Sequence, residues 1–338
     1  MNPITDTPVA TGIRRRTVLQ AGAGAAAAFL TRAAPSHAQE TELPVVLITG
    51  TSSGFGRLMA EGFARQGSRV FATMREVDGR NAPVAEALRT LATDENLAIE
   101  VLELDVLSDE SVDAAVAGAI ARAGRIDLLV SNAGIVVPGP VELQPRERFQ
   151  SNIETNAIGA LRVIKAVVPH MRQAGRGTII QMSSALGRAI DPMLGGYCAS
   201  KLVIEAACDA LGYELAASNI EVAVVQPAGA YPTQFQSNGL RYWQDLLASL
   251  GPESRPMLEL YAPHLEAMLA GLEPDTSLDP REVADAVLKL AAMEFGRRPN
   301  RLTVGPYTDG IDPVNAAHEK LQTDMVGHSP AADLFILR

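Results

Sequence analysis

Only two of the 338 residues are cysteines, five are histidines and one is tryptophan. Cys198 and Cys208 fall on one expected helix, about 15 Å apart at 1.5 Å rise per residue. That is far beyond disulfide reach, so they read as small core residues. The histidines show no metal-ligand spacing, and no catalytic metal is expected. Positive charge is scarce as well: 29 Lys and Arg stand against 39 Asp and Glu, a formal net charge of −10. With no basic stripe to offset that balance, a nucleic-acid partner is excluded. The apolar stretch Ala21 to Leu30, about ten residues, is too short to span a bilayer. No internal repeat or low-complexity segment follows it. The rest of the composition is ordinary for a globular protein, and the length suits one large α/β domain or two small ones.

The first 38 residues read as an export signal and not as part of the fold. Arg14-Arg15-Arg16-Thr-Val-Leu-Gln20 is an arginine-rich entry to the stretch Ala21–Leu30, and Pro35-Ser-His-Ala38 closes with a small-x-small site for cleavage after Ala38. Paired arginines before an apolar stretch poor in leucine resemble the twin-arginine signal of bacteria, a route for folded proteins. The expected mature chain is therefore periplasmic and spans residues 39–338. A basic leader with no transport role, leaving a cytoplasmic protein, is the alternative.

From Pro44 onward apolar runs alternate with amphipathic stretches. Strands are expected at Val45–Ile48, Arg69–Ala72, Ile99–Leu104, Leu128–Ser131, Thr178–Met182, Glu221–Val225 and Arg301–Val304. Several are apolar throughout, as parallel strands covered on both faces are. Helices are expected near 56–66, 80–93, 109–123, 145–174, 196–217 and 280–293, with a kink or early end at Pro169. The alternation predicts α/β architecture, a doubly wound parallel sheet of the Rossmann kind. Residues 234–275 break the pattern. Four prolines (Pro252, Pro256, Pro263, Pro274) interrupt this segment. With Trp243, Leu246, Leu247, Met257, Leu260, Tyr261 and Met268 it reads as a helical insertion forming an apolar substrate lid.

Two motifs carry chemistry. Tyr197-Cys-Ala-Ser-Lys201 puts a phenol and an ammonium at i and i+4, on one helical face. A tyrosine ordinarily ionises near pH 10, and a neighbouring cation moves that value towards the working pH. Upstream, Thr49-Gly-Thr-Ser-Ser-Gly54-Phe-Gly56 follows an apolar strand and opens a helix. Such a turn lets backbone N–H groups and a helix N-terminus approach a pyrophosphate.

Taken with Asn132-Ala133-Gly134, Asn156 and Ser184 thirteen residues before Tyr197, these motifs resemble the short-chain dehydrogenase/reductase family over residues 44 to about 305. The resemblance implies that Gly50, Gly54 and Gly56 cradle the cofactor pyrophosphate, that Phe55 also binds the cofactor, and that Ser52 adds a hydrogen bond to a 2′-phosphate. Asp105 would bond the adenine amino group next to Val106, and Asn132, Ala133 and Gly134 would border the ribose. It further implies Tyr197 as acid/base and Lys201 as the group lowering its pKa and binding the nicotinamide ribose. Ser184 would orient the carbonyl, and Asn156 would hold a water leading to Lys201. No acidic residue stands at the position of Met74, where NAD-selective relatives place one, and Arg75 next to it suits a 2′-phosphate. NADP is expected, in preference to NAD.

The family's Pro-Gly loop reads Pro227-Ala-Gly-Ala-Tyr-Pro-Thr233, one residue longer; Pro227 and Thr233 are both expected at the cofactor, and the added residue puts the nicotinamide contact of Thr233 in question. The expected function is NADP-dependent interconversion of a secondary alcohol and a ketone. The wording around Tyr197 and Arg75 is most similar to hydroxysteroid and retinol dehydrogenase-like members, which points to a lipophilic substrate. A non-catalytic nucleotide sensor on the same fold is the alternative, and a homodimer or homotetramer is the expected assembly.

Overall fold

The structure, a computed structural model, describes residues 43–330 and 332–337. The expected export signal, residues 1–38, lies outside them. Seven strands form one sheet: β1 (Val45–Thr49), β2 (Arg69–Met74), β3 (Ile99–Glu103), β4 (Leu128–Ser131), β5 (Gly177–Met182), β6 (Ile220–Pro227) and β7 (Arg301–Val304). All neighbours pair in parallel, in the order β3-β2-β1-β4-β5-β6-β7. Strand order reverses between β1 and β4, and a crevice for ligand opens beyond the carboxyl ends at such a point.

The continuous apolar runs have a direct cause. Side chains alternate along a strand, and in β1 the two sets enter different cores. Val46 and Ile48 pack with Met59, Phe63, Leu88 and Val287 on one face. Val45 and Leu47 pack with Val116, Ile164 and Ile204 on the other. The first core is covered by α1 (Gly54–Arg65), α2 (Ala82–Asp94) and α9 (Arg281–Ala291), the second by α3 (Asp109–Ala123), α5 (Ala160–Ala174) and α6 (Gly195–Ala216). Helix ends follow local chemistry. The Ser108 hydroxyl accepts from Ser111 N at the start of α3, Asp109 and Glu110 sit in its first turn, and Gly124 closes it at φ 74°.

Two expectations are corrected. The helix expected over 145–174 is α4 (Arg146–Ile153), a single π turn (Glu154–Gly159) and α5 in unbroken succession. It does not end at Pro169: α5 continues to Ala174, because Val163, Ile164, Val167, Val168 and Met171 bury its flank on both sides of the proline. Pro263 likewise lies inside α8 (Arg255–Gly271) and does not break it, and the buried Leu265 and Met268 hold the following turns. The chain past β7 carries two further helices, α10 (Thr308–Gly327) and α11 (Ala332–Leu337), for which the sequence carried no expectation. Among the described residues no helix is long and apolar enough to cross a membrane, and no cluster of three or more His, Cys, Asp or Glu could hold a metal. Both cysteines are buried.

Candidate active site

A cleft of about 650 Å³ opens at the carboxyl ends of the strands. Every residue expected to act in catalysis or to bind the cofactor lines it except Gly56 and Asn156, which lie against lining residues Gly50 and Gly134. The glycine turn forms the floor. Gly50 and Gly54 have φ of 72° and 54°, left-handed values that other residues rarely adopt. A Cβ on Gly56 would stand 2.2 Å from Gly50 O and 2.6 Å from Asn132 Nδ2. The turn is also tied to β4: the Asn132 side chain donates to Thr49 O (2.9 Å) and Gly50 O (3.1 Å), and Thr49 Oγ1 accepts from Asn132 N and Ala133 N. These contacts leave a narrow cradle with helix N-terminal amides facing it, the donor set a pyrophosphate requires. Gly56→Ala should therefore displace the turn. Nucleotide binding is expected to weaken by about a hundredfold or more, measured by calorimetry; parent affinity in that variant would show that the turn is not the cradle.

On the opposite wall Tyr197 and Lys201 come from α6 and Ser184 from the end of β5. Tyr197 is 6% exposed and Lys201 5%. Lys201 Nζ lies 5.6 Å from the centre of the Tyr197 ring and donates to Met182 O at 3.1 Å. The sequence expectation was a phenol with lowered pKa. In the protein alone the net effect is the reverse: burial pushes the Tyr197 phenol above its ordinary range, and the neighbouring Ser184 hydroxyl pulls it back only in part. Lys201 is pushed down to about 8 by burial, against the opposing pull of Glu205. An i+4 spacing fixes the neighbour, whereas the fold fixes how much water reaches both groups.

Asn156 sits in the π turn, a feature frequent at functional sites. Its side chain is held on three bonds: Oδ1 accepts from Ile135 N (2.8 Å), and Nδ2 donates to Ile135 O and Ser200 Oγ (2.9 Å each). A water bound by this amide, as expected from the sequence, would use the second lone pair of Oδ1. Ser183 turns its hydroxyl away from Ser184, to Glu205 at 2.6 Å.

The loop after β6 brings Thr233 beside the glycine turn, its Cβ 3.2 Å from where a side chain on Gly54 would begin. Thr233 caps α7 (Gln234–Ser249) with Gln236 in a capping box. Tyr231, for which the sequence offers no local signal, anchors the same loop. It is 1% exposed, meets Phe55 edge-to-face at 5.5 Å and donates to Glu282 Oε2 at 2.9 Å. The lid residues are also corrected. Trp243, Leu246, Leu265 and Met268 form a core of their own between α7 and α8, with Tyr261 against it, while Leu260 is 69% exposed. Phe235, Gln236, Asn238, Arg241 and Tyr242 are the residues of α7 that line the cleft. The apolar set expected to meet substrate instead holds the insertion together.

The model of the short chain dehydrogenase family matches residues 44–241, from the start of β1 into α7. The chain belongs to the short-chain dehydrogenase/reductase family. It is similar to a 3-ketodihydrosphingosine reductase of Bacteroides thetaiotaomicron, 32% identical over 263 residues, covering 78% of this chain and 88% of that one. Human 17-beta-hydroxysteroid dehydrogenase type 1 is 30% identical over 247 residues, with 72% and 73% covered. Among solved structures, a short-chain dehydrogenase from Streptomyces avermitilis superposes with a TM-score of 0.63 at 28% identity, over 85% of this chain and 99% of that one. A short-chain dehydrogenase/reductase of this kind is an NAD(P)-dependent oxidoreductase, and the cradle and catalytic wall of this cleft fit a nicotinamide dinucleotide.

Proposed function

We propose that the protein is an NADP-dependent enzyme that interconverts a secondary alcohol and a ketone on a lipophilic substrate, with Tyr197 as the acid/base. The observation that carries this reading is the convergence of the Tyr197 phenol, the Ser184 hydroxyl and the Lys201 ammonium on one wall of a cleft whose floor is the glycine turn. The bound nicotinamide supplies or accepts the hydride. Ser184 orients the carbonyl oxygen towards Tyr197, and Tyr197 hands it the proton in the reduction direction. A phenol kept protonated by burial suits that donor role. Lys201 holds positive charge beneath the ring and stabilises the phenolate left behind.

A lipophilic substrate is supported by the walls beside Tyr197, where Leu186, Leu194, Phe235, Tyr242 and Leu272 face the cleft. It is supported too by two relatives named for 3-ketodihydrosphingosine and a 17-beta-hydroxysteroid. A panel of ketones and alcohols with both cofactors, followed by nicotinamide absorbance, tests the assignment. Intact nucleotide binding with no turnover on any member would favour a sensor instead. The arginine-rich leader extends the proposal to a periplasmic enzyme loaded with nucleotide before export.

NADP is favoured by Arg75. Its side chain is half-buried at the cleft and makes no ion pair among the described residues, whereas nearby Arg80 is held by Glu76 at 3.3 Å. Asn81 Nδ2 pins the Arg75 carbonyl at 2.7 Å, which fixes the backbone beneath that side chain. A charge-assisted contact contributes about 1.5–3 kcal/mol. Arg75→Ala should thus lower kcat/KM with NADP roughly ten- to a hundredfold and leave the NAD value nearly unchanged. Equal losses with the two cofactors would show that Arg75 does not read the 2′-phosphate.

A further inference from the structure

Ser184 lies in a short segment that leaves β5 and makes a 3-10 turn over Ala185–Gly187. Beneath that segment is Glu205, one turn after Lys201 on α6 and 1% exposed. Glu205 Oε1 accepts from Ser183 Oγ at 2.6 Å and from Gln226 Nε2 at 2.8 Å. Its Oε2 accepts from Arg301 Nε at 3.2 Å and lies 3.1 Å from Arg188 Nη2. Gly187 crosses so closely that a Cβ there would stand 2.2 Å from Oε1. The residues before and after Ser184 thus converge on one buried carboxylate.

The surroundings complete the fastening. Arg301 Nη2 also donates to Asp209 at 2.6 Å, and His318 of α10 reaches the same Asp209 oxygen at 3.0 Å. Asn315 of α10 accepts from Arg188 Nε at 3.0 Å and donates to Gln226 Oε1 at 2.7 Å. A buried charged cluster gives weak support to stability, since apolar residues of like volume often serve as well. What it supplies is a single geometry. Helix α6 grips the strand end twice, through Lys201 on Met182 O and through Glu205 on Ser183.

We propose that Glu205 is a positioning residue that fastens the segment Ser183–Arg188 and so holds the Ser184 hydroxyl against Tyr197. This rests on the catalytic reading of Ser184 given above. Misplacement of a reacting group by about 1 Å can cost a hundredfold. Glu205→Gln keeps the shape but removes the carboxylate from Arg188 and leaves Arg301 with Asp209 alone, and Ser183→Ala removes one hydrogen bond alone.

The experiment is a double-mutant cycle with the best substrate of the panel, each variant first shown to bind NADPH with parent affinity. Glu205→Gln should lower kcat about a hundredfold and Ser183→Ala roughly tenfold, yet neither should lower it further in a Ser184→Ala background. Multiplicative losses in that background would overturn the proposal, as would parent activity in both single variants. If Glu205→Gln does not fold, Ser183→Ala alone carries the cycle.

Amide exchange, which needs no turnover, separates this idea from the reading beneath it. The Leu186 N–H, bonded to Ser184 Oγ at 3.1 Å, should exchange about tenfold faster in Ser183→Ala, and unchanged exchange would overturn the fastening. Near-parent activity of Ser184→Ala, with that exchange accelerated, would instead remove the catalytic reading of Ser184 and leave the fastening standing.

Discussion

Tyr197→Phe is expected to lower kcat by about 10²–10⁴-fold, the usual contribution of a positioned proton donor, with the cofactor dissociation constant nearly unchanged. The ring of Tyr197 packs edge-to-face on Phe235 at 5.6 Å and lies over Lys201, and phenylalanine keeps both contacts. Only the hydroxyl, with its interaction with the Ser184 side chain, is lost. Burial raises the phenol's pKa in the parent, so the group is almost entirely protonated at neutral pH. The reduction direction should accordingly be fast near pH 7, and the oxidation direction should gain as pH rises and the phenolate becomes accessible. Stopped-flow nicotinamide absorbance and calorimetric titration with NADPH check the two halves separately. A variant that retains more than about a tenth of the parent rate would defeat Tyr197 as the acid/base. Loss of cofactor affinity in step with rate would make it a binding residue.

How far these features were legible in the sequence depends on the distance over which each is decided. The strands were plain because a parallel strand buried on two faces must be apolar at consecutive positions, as Val45–Ile48 are. The glycine turn and the Tyr197–Lys201 pair are local, with spacings set by the turn and by the helix. The phase of the insertion was not local. Trp243 and Leu246 are as apolar as Phe235, and only the docking of α7 on Gly139, with α8 alongside, decides which stripe turns inward.

Helix α10 gave no signal because Ile311 is its one buried side chain among those described. Its contribution is polar, through Asn315 and His318. Glu205 reads in sequence as an ordinary helix residue, and its partners Arg188 and Arg301 come from segments 17 and 96 residues away. The direction of the Tyr197 shift failed for the same reason. Proximity of the ammonium is encoded within four residues, but exclusion of water is a property of the assembled cleft.

That exclusion has a measurable consequence at Lys201, where function and stability should oppose each other. Unfolded, this lysine keeps its proton up to its ordinary pKa of 10.5; folded, burial brings the value down to about 8. Between those values the unfolded chain binds more protons than the folded one, so stability rises with pH through the window. Below pH 8 the whole penalty is present, on the order of 3 kcal/mol. Lys201→Met keeps most of the stem volume and removes the charge, at the cost of the hydrogen bond to Met182 O, worth about 1 kcal/mol.

In nucleotide-free protein at pH 7 the variant should therefore be more stable by about 2 kcal/mol, a rise in Tm of roughly 4 °C. The advantage should shrink as pH is raised towards 10. The same variant should lose about a hundredfold or more in kcat and bind NADPH more weakly, since the proposed ribose contact and the charge beneath Tyr197 go together. Differential scanning calorimetry across pH 7–10, beside steady-state kinetics, reads both. A lower Tm at pH 7 would mean that Lys201 is a structural cation whose burial is fully compensated by Glu205 and Met182. An inactive, stabilised protein would identify it as a charge the fold tolerates for the sake of the reaction.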